Sequence, residues 1–392
     1  MNQLNCQNIL DTLKSVVDFK GKSISLHEPL FAGKEWLYVK DCLDSGWVSY
    51  LGKYVEEFEA RLVEYTGVKR AVAVMNGTAA LHICLKIAGV GPGDEVIVPA
   101  LTFVATANAV TYCGAIPHFV DSEERTLGLD PRKLSIYLQE VTVMKGDDCV
   151  NRKTGRRIRA VLPVHTFGHP VDLDPLLDVC RQFKLILIED AAESLGSYYN
   201  GRHTGNWGKV SALSFNGNKT ITTGGGGAIL TNDEELGNLI KHITTTAKVP
   251  HPWEYRHDQT GYNYRLPNLN AAVGCAQMEQ LETFLGYKRM LAERYEEAFR
   301  NVEGIIFFKE PEFSRSNYWL NVLLLDSVYE GQRDALISLA AENGIMVRPS
   351  WILMHRLPMY KECPRMDLTV AESLERRLIN IPSSPVLGKP YA

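Results

Sequence analysis

Residues 185–193 read Leu-Ile-Leu-Ile-Glu-Asp-Ala-Ala-Glu. The four apolar residues at 185–188 predict a strand that is buried on both faces of a sheet and ends in acids. Carboxylates at the C-terminal ends of parallel strands lie where open α/β sheets bind ligands. A buried Asp190 requires a cationic partner, such as a positively charged group of a bound ligand. The alternatives are that this acidic motif binds a metal ion or caps a helix. The stretch therefore predicts an α/β fold in which Asp190 is a candidate binding residue.

The same pattern extends to both sides of this strand. From Arg70 to about Phe215, short β-rich runs alternate with helical stretches. Apolar runs at 71–74, 95–98, 116–120 and 160–164 predict further buried strands. Because strands alternate with helices, we predict a mainly parallel central sheet flanked by helices.

Two segments interrupt the alternation. Residues 144–159 are polar and basic, and they predict a surface loop or hairpin insert; a solvated face explains the charges better than contact with a nucleotide. Residues 250–267 are rich in aromatic residues, Pro, Gly and His, and they precede a long helical stretch and further strands. We predict a large domain with an N-terminal segment over 1–260, and a smaller C-terminal α/β domain over 261–392.

The composition is that of a globular protein. The chain has 392 residues, of which 45% are hydrophobic and 22% charged, and its net charge of −4 argues against a nucleic-acid partner. No apolar run reaches the length of a membrane span, and no secretory signal is evident, so we predict a cytoplasmic protein without membrane contact. The eight cysteines are scattered without a C-x-x-C pair, which predicts reduced thiols and no metal site.

A single lysine stands out in residues 211–227. Lys219 lies between an apolar strand and four glycines at 224–227. Desolvation turns a lysine into a better nucleophile, and glycines let the backbone approach a ligand closely. The lysine precedes the glycines, so this is not a phosphate-binding P-loop. Taken alone, a lysine beside glycines is more typical of a surface turn.

A third element lies near the first predicted strand. Residues 74–81 contain a strand that ends at Asn76 and Gly77, and a helix that begins with Thr78. Free N–H groups at a helix N-terminus bind phosphate, although a plain capped helix has the same pattern. The glycine-rich residues 89–94 precede a strand instead of following one, which predicts only a tight loop.

Together the three elements supply an anion site, a partner for a pyridinium nitrogen and a Schiff-base lysine. This order is typical of fold-type I enzymes that use pyridoxal 5′-phosphate (PLP). From about His27 to at least Tyr360, the sequence resembles the DegT/DnrJ/StrS family of sugar aminotransferases. The segments that carry the resemblance are Gly77–Leu81, Pro99–Thr106, Glu189–Glu193, Ser214–Gly227 and Gly261–Leu266.

The resemblance implies a role for each matching residue. Lys219 is implied to bind PLP covalently and to move the proton, and Asp190 to keep the pyridine nitrogen protonated. The residues implied to hold the phosphate are Gly77, Thr78, Ala79 and Ser214.

Three further cofactor-binding residues follow from the resemblance. Phe103 is implied to stack on the PLP ring, with core packing as the alternative, and Glu193 to lie over that ring. Asn263 matches a residue that reaches the phosphate in the neighbouring subunit. The resemblance therefore implies a homodimer with the active site at the subunit interface.

Asn76, the glycine run at 224–227 and residues 26–29 resemble one branch of the family, which acts in legionaminic-acid and bacillosamine biosynthesis. Its members aminate C4 of nucleotide-linked 4-keto-6-deoxy-N-acetylhexosamines. The branch implies that L-glutamate donates the amino group, through pyridoxamine 5′-phosphate, to a UDP-linked sugar destined for a bacterial surface glycan. The sequence leaves open a GDP carrier, amination at C3 and the stereochemistry of the product.

Two other functions are compatible with the same fold. One is a PLP-dependent sugar dehydratase or lyase; some relatives of that kind carry histidine where this chain has Lys219, so the lysine favours transamination. The other is a non-catalytic sensor of PLP or of a nucleotide sugar, which would need no proton-moving lysine. His165 is either structural or placed behind the site, and His355 either lines the sugar site or packs in a loop.

Overall fold

The computed structural model describes residues 3–390 and contains twelve α-helices and eighteen strands within them. The helices are α1 (Cys6–Val16), α2 (Glu35–Ser45), α3 (Lys53–Thr66), α4 (Gly77–Ile87), α5 (Val104–Tyr112), α6 (Pro131–Val141), α7 (Leu173–Gln182), α8 (Glu234–Thr244), α9 (Asn268–Met278), α10 (Leu281–Phe299), α11 (Arg333–Glu342) and α12 (Thr369–Arg377). The strands are β1 (Arg70–Val74), β2 (Glu95–Pro99), β3 (Ile116–Val120), β4 (Thr142–Lys145), β5 (Asp148–Asn151), β6 (Arg157–Val161), β7 (Ile186–Asp190), β8 (Tyr198–Tyr199), β9 (Arg202–His203), β10 (Val210–Ser214), β11 (Gly227–Thr231), β12 (Lys248–Val249), β13 (Arg256–His257), β14 (Ile305–Phe307), β15 (Ser314–Arg315), β16 (Asn321–Leu325), β17 (Arg348–Pro349) and β18 (Leu378–Ile381).

The central sheet confirms the predicted α/β architecture. Its main path runs β1-β11-β10-β7-β6-β2-β3, and the five strands from β10 to β3 are parallel. Strand β11 is antiparallel to both of its neighbours, so the sheet is mixed at that end. The polar insert forms the β4–β5 hairpin, which attaches to the sheet through β6.

Helices cover both faces of this sheet, because successive residues of a strand point to opposite sides. In β1, Val72 and Val74 pack into a core with α4 and α5, whereas Ala71 and Ala73 pack with α3 and α9 on the other face. The binding site lies at the edge of this doubly covered sheet where its parallel strands end.

A second, antiparallel sheet has the order β14-β16-β18-β17. It shares a core with α10, with α11 and with α1 at the other end of the chain. Helix α9 packs instead against α2 and α3 beside the central sheet. The boundary between residues 260 and 261 stays a prediction.

None of the helices within residues 3–390 is long and apolar enough to cross a lipid bilayer.

Candidate active site

A cavity of about 350 Å³ lies at the C-terminal ends of β7 and β10 and at the N-terminus of α4. Seven of the nine residues expected to bind a cofactor line it. They are Gly77, Thr78, Phe103, Asp190, Glu193, Ser214 and Lys219. A second cavity, of about 440 Å³, lies between α2 and α3 and contains none of them.

Asp190 is the last residue of β7 and is 4% exposed. Its Oδ2 accepts a hydrogen bond from the Thr106 hydroxyl at 2.8 Å, and its Oδ1 accepts one from the Ala192 N–H at 3.2 Å. Burial raises the pKa of the Asp190 carboxyl, and the Thr106 hydrogen bond opposes that shift. A cationic ring nitrogen bound in the cavity would therefore stabilise the ionised carboxylate.

The Lys219 amine lies in the loop that follows β10 and faces the same cavity. Its Nζ is 3.3 Å from Glu193 Oε1 and 3.7 Å from the centre of the Trp319 ring. Glu193 is buried, and its Oε2 accepts a hydrogen bond from the Phe167 N–H at 2.9 Å. Burial raises the pKa of the Glu193 carboxyl, and the charge of Lys219 opposes that shift. The amine is thus held between a carboxylate and an indole face.

The N-terminus of α4 forms a narrow anion cradle. The first N–H groups of a helix have no partner inside the helix, and Gly77 and Thr78 bring theirs to the cavity. A Cβ on Gly77 would lie 2.9 Å from Ser214 Cβ, so only glycine allows this close approach. Ala79 does not line the cavity, and its N–H donates at 2.8 Å to the Asn76 cap. A role for Ala79 in holding phosphate stays a prediction.

Aromatic rings form the outer wall. Phe103 is 52% exposed at the start of α5, so its ring is available to a ligand and does not serve as core packing. Trp351 lies 6.4 Å from it, centre to centre, and stacks on Phe167 at 4.9 Å. Trp319 and Trp351 line the cavity, and neither was identified from the sequence.

Three other residues singled out from the sequence lie outside the cavity. His165 is buried, and its Nε2 lies 3.0 Å from Glu189 Oε2. Its Nδ1 accepts a hydrogen bond from the Val171 N–H, so both ring nitrogens have structural partners. His355 lies 3.3 Å from Glu372. Asn263 is exposed and pairs through its backbone with Thr245, so its contact with a partner's phosphate stays a prediction.

The chain belongs to the DegT/DnrJ/EryC1/StrS aminotransferase family, whose model matches residues 31–390. It is 38% identical to the GDP-perosamine synthase of Escherichia coli O157:H7 over 368 residues, which cover 94% of this chain and 95% of that protein. It is 30% identical to DesV from S. venezuelae in complex with a ketimine intermediate, with a TM-score of 0.79, covering 98% of this chain and 93% of that one. The PMP form of Spr1654 from Streptococcus pneumoniae is 25% identical with a TM-score of 0.83, and 92% of each chain is covered.

The protein is therefore a transaminase that acts on nucleotide-linked sugars and uses PLP. The cavity fits that cofactor. The α4 cradle suits its phosphate, the buried Asp190 carboxylate suits its ring nitrogen, and the Lys219 amine is within the same cavity. The predictions of family, fold, enzyme class and cofactor are confirmed.

Proposed function

We propose that this enzyme transfers the amino group of L-glutamate to the C4 keto carbon of a nucleotide-linked 4-keto-6-deoxyhexose. One observation carries the proposal: Lys219 and Asp190 face one cavity beside an anion cradle, in a chain of a sugar aminotransferase family. A lysine that moves protons is required by transamination and is not required by a binder or sensor.

Each residue has a definable task. When bound, PLP supplies an electron sink for the charge left when the donor's Cα–H bond breaks. The Nζ of Lys219 takes up that proton and returns it later, and Glu193 and Trp319 hold the amine in place. Asp190 keeps the proton on the ring nitrogen, and Gly77, Thr78 and Ser214 hold the phosphate.

Two nucleotide carriers are candidates. The glycine run at 224–227 and Asn76, with residues 26–29, support a UDP-linked N-acetylhexosamine, because they resemble the legionaminic-acid and bacillosamine branch. The relatives from Escherichia coli O157:H7 and Vibrio cholerae, each 38% identical, are GDP-perosamine synthases and support a GDP-linked sugar. We place the UDP-linked sugar first and test both.

An absorption spectrum separates these possibilities. We expect PLP-loaded protein to show a visible band that disappears with excess L-glutamate, because the amino group moves to the cofactor. The band should return on adding the accepted keto sugar, offered in parallel as a UDP-linked 4-keto-6-deoxy-N-acetylhexosamine and as a GDP-linked 4-keto-6-deoxyhexose. Product should be identified by mass spectrometry and NMR, which assign the aminated carbon.

Other outcomes would overturn parts of the proposal. Return of the band with the GDP sugar alone would exclude the UDP carrier. A band that glutamate leaves unchanged, with ammonia released from an amino sugar, would favour the dehydratase or lyase. A band that responds to no substrate would favour the sensor.

We also propose that the active site is completed by a second copy of the chain. The cofactor phosphate, the two glutamate carboxylates and the sugar diphosphate are all anionic. Lys219 is the sole basic side chain among the described residues that line the cavity, and Asp190 and Glu193 are acidic. Additional donors must therefore come from elsewhere. Trp36, 77% exposed, and Trp47, 59% exposed, mark an apolar surface that suits a subunit interface.

Mixing two inactive variants tests this arrangement. If Asn263 completes the partner's site, Lys219→Ala and Asn263→Ala subunits that exchange should regain about a quarter of wild-type activity, since random pairing makes half the dimers hybrid with one intact site each. Each variant incubated alone is the control. No recovery in hybrids shown by mass photometry to exist would contradict a shared site.

A further inference from the structure

A fully buried lysine that the reaction does not use lies behind the active site. Lys288, on α10, is 0% exposed, and within residues 3–390 it forms no ion pair. Burial lowers its pKa to about 7. Burying an ammonium group without a counter-ion costs free energy unless its hydrogen bonds compensate, so the partners of this amine show what it stabilises.

The Lys288 amine joins three distant segments of the chain. Its Nζ donates to the Ser383 carbonyl at 2.7 Å and to the Trp319 carbonyl at 3.1 Å, and it lies 3.1 Å from His27 Nε2. The amine donates to both carbonyls, and its third hydrogen bond, with His27 Nε2, takes its direction from the tautomer of the imidazole.

The contact with Trp319 leads to the active site. The Trp319 N–H donates to Asn317 Oδ1 at 2.8 Å, and its indole N–H donates to the Asn218 carbonyl at 2.7 Å. With the carbonyl held by Lys288, every polar group of Trp319 is fixed. The centre of the Trp319 ring, held by these hydrogen bonds, lies 3.7 Å from Lys219 Nζ.

We propose that Lys288 is a positioning residue for transamination, which acts by fixing Trp319 so that its indole face holds the Lys219 amine in place. The proposal rests on the role given above to Lys219. Without the Lys288 ammonium, the carbonyls of Trp319 and Ser383 lose their donor inside the core. Trp319 then shifts, and a displacement of about 1 Å near the reacting atoms costs up to about 100-fold in rate.

Lys288→Met tests the proposal, because methionine fills the same space without donors. The matched control is Tyr295→Phe on the same helix, which removes a buried hydrogen bond at 3.0 Å to the Pro382 carbonyl, next to Ser383, and leaves Trp319 untouched. Both PLP-loaded variants should melt at a lower temperature than the wild type, since each loses buried hydrogen bonds.

Two measurements separate positioning from stability. The visible circular dichroism of bound PLP arises from its asymmetric surroundings and reports the placement of the cavity walls independently of activity. Lys288→Met should change this signal and lower kcat by about 10- to 100-fold, with KM for glutamate altered much less. Tyr295→Phe should keep the wild-type spectrum and a kcat within about twofold, because it loses only one neutral hydrogen bond.

Either of two results would overturn the proposal: an unchanged dichroism and kcat in Lys288→Met, or equal losses in Tyr295→Phe. If Lys288→Met does not fold, Lys288→Gln takes its place: its shorter side chain has two N–H donors for three partners, so the dichroism and kcat should change in the same direction. The wild-type protein is measured in parallel. If the wild-type protein does not react with glutamate, the proposed function is contradicted. The comparison of dichroism between Lys288→Met and Tyr295→Phe would still test the role of Lys288.

Discussion

Lys219→Ala is expected to bind PLP without a covalent bond and to lose turnover by at least about 10⁴-fold, because no other group removes and returns the proton. Glu193 is the other titratable group beside the amine, and burial raises the pKa of its carboxyl, but its Oε2 is held by the Phe167 N–H. Reduction with borohydride followed by mass spectrometry should label position 219 in the wild type and leave the variant unlabelled.

Lys184→Ala is the control for this experiment. The Lys184 side chain is 52% exposed and pairs with Asp147 on the surface, so its loss should leave turnover within about twofold. Labelling of a different lysine in the Lys219→Ala protein, or turnover close to that of the wild type, would contradict the assignment.

Asp190→Asn is expected to lower kcat by about 10²- to 10⁴-fold with the fold intact. Asparagine has nearly the same shape, and its one oxygen can accept a hydrogen bond from either Thr106 or the Ala192 N–H, but it carries no charge to keep a ring nitrogen protonated. Stopped-flow measurement of the glutamate half-reaction should place the loss in the proton-removal step, and the melting temperature should fall little.

A second buried aspartate provides the comparison. Asp172 accepts a hydrogen bond from the Tyr199 hydroxyl at 2.7 Å and lies outside the cavity. Asp172→Asn should lower stability and keep kcat near that of the wild type. If Asp190→Asn also kept its turnover, the buried carboxylate would have no part in the chemistry.

The parts of the site that the sequence predicts are those on the central sheet. Residues 186–188 of the apolar run lie in β7. Asp190 therefore ends that strand beside β10, which ends at Ser214. A continuous apolar run and the place where it ends are local properties, so one segment at a time suffices to predict them.

The parts that the sequence does not predict arrive from distant segments. Trp319 precedes β16 of the second sheet, and Trp351 follows β17; each reads locally as an ordinary core aromatic. Lys288 on α10 resembles any lysine of an amphipathic helix, and only its burial against Trp319 distinguishes it. The carrier nucleotide is likewise undetermined, because motifs around the cofactor do not describe the sugar.

The packing of α1 against the second sheet has a consequence during synthesis. Ile9, Leu10 and Leu13 of α1 bury their side chains in a core that α1 shares mainly with α10 and α11. At about 5–20 residues per second, these two partner helices are complete roughly 15–65 s after α1 is. The apolar face of α1 stays uncovered for most of translation, so the nascent chain is most exposed to aggregation at its first helix. Ribosome-bound chains that stop before α10 should therefore recruit holdase chaperones at α1 more strongly than chains released at full length.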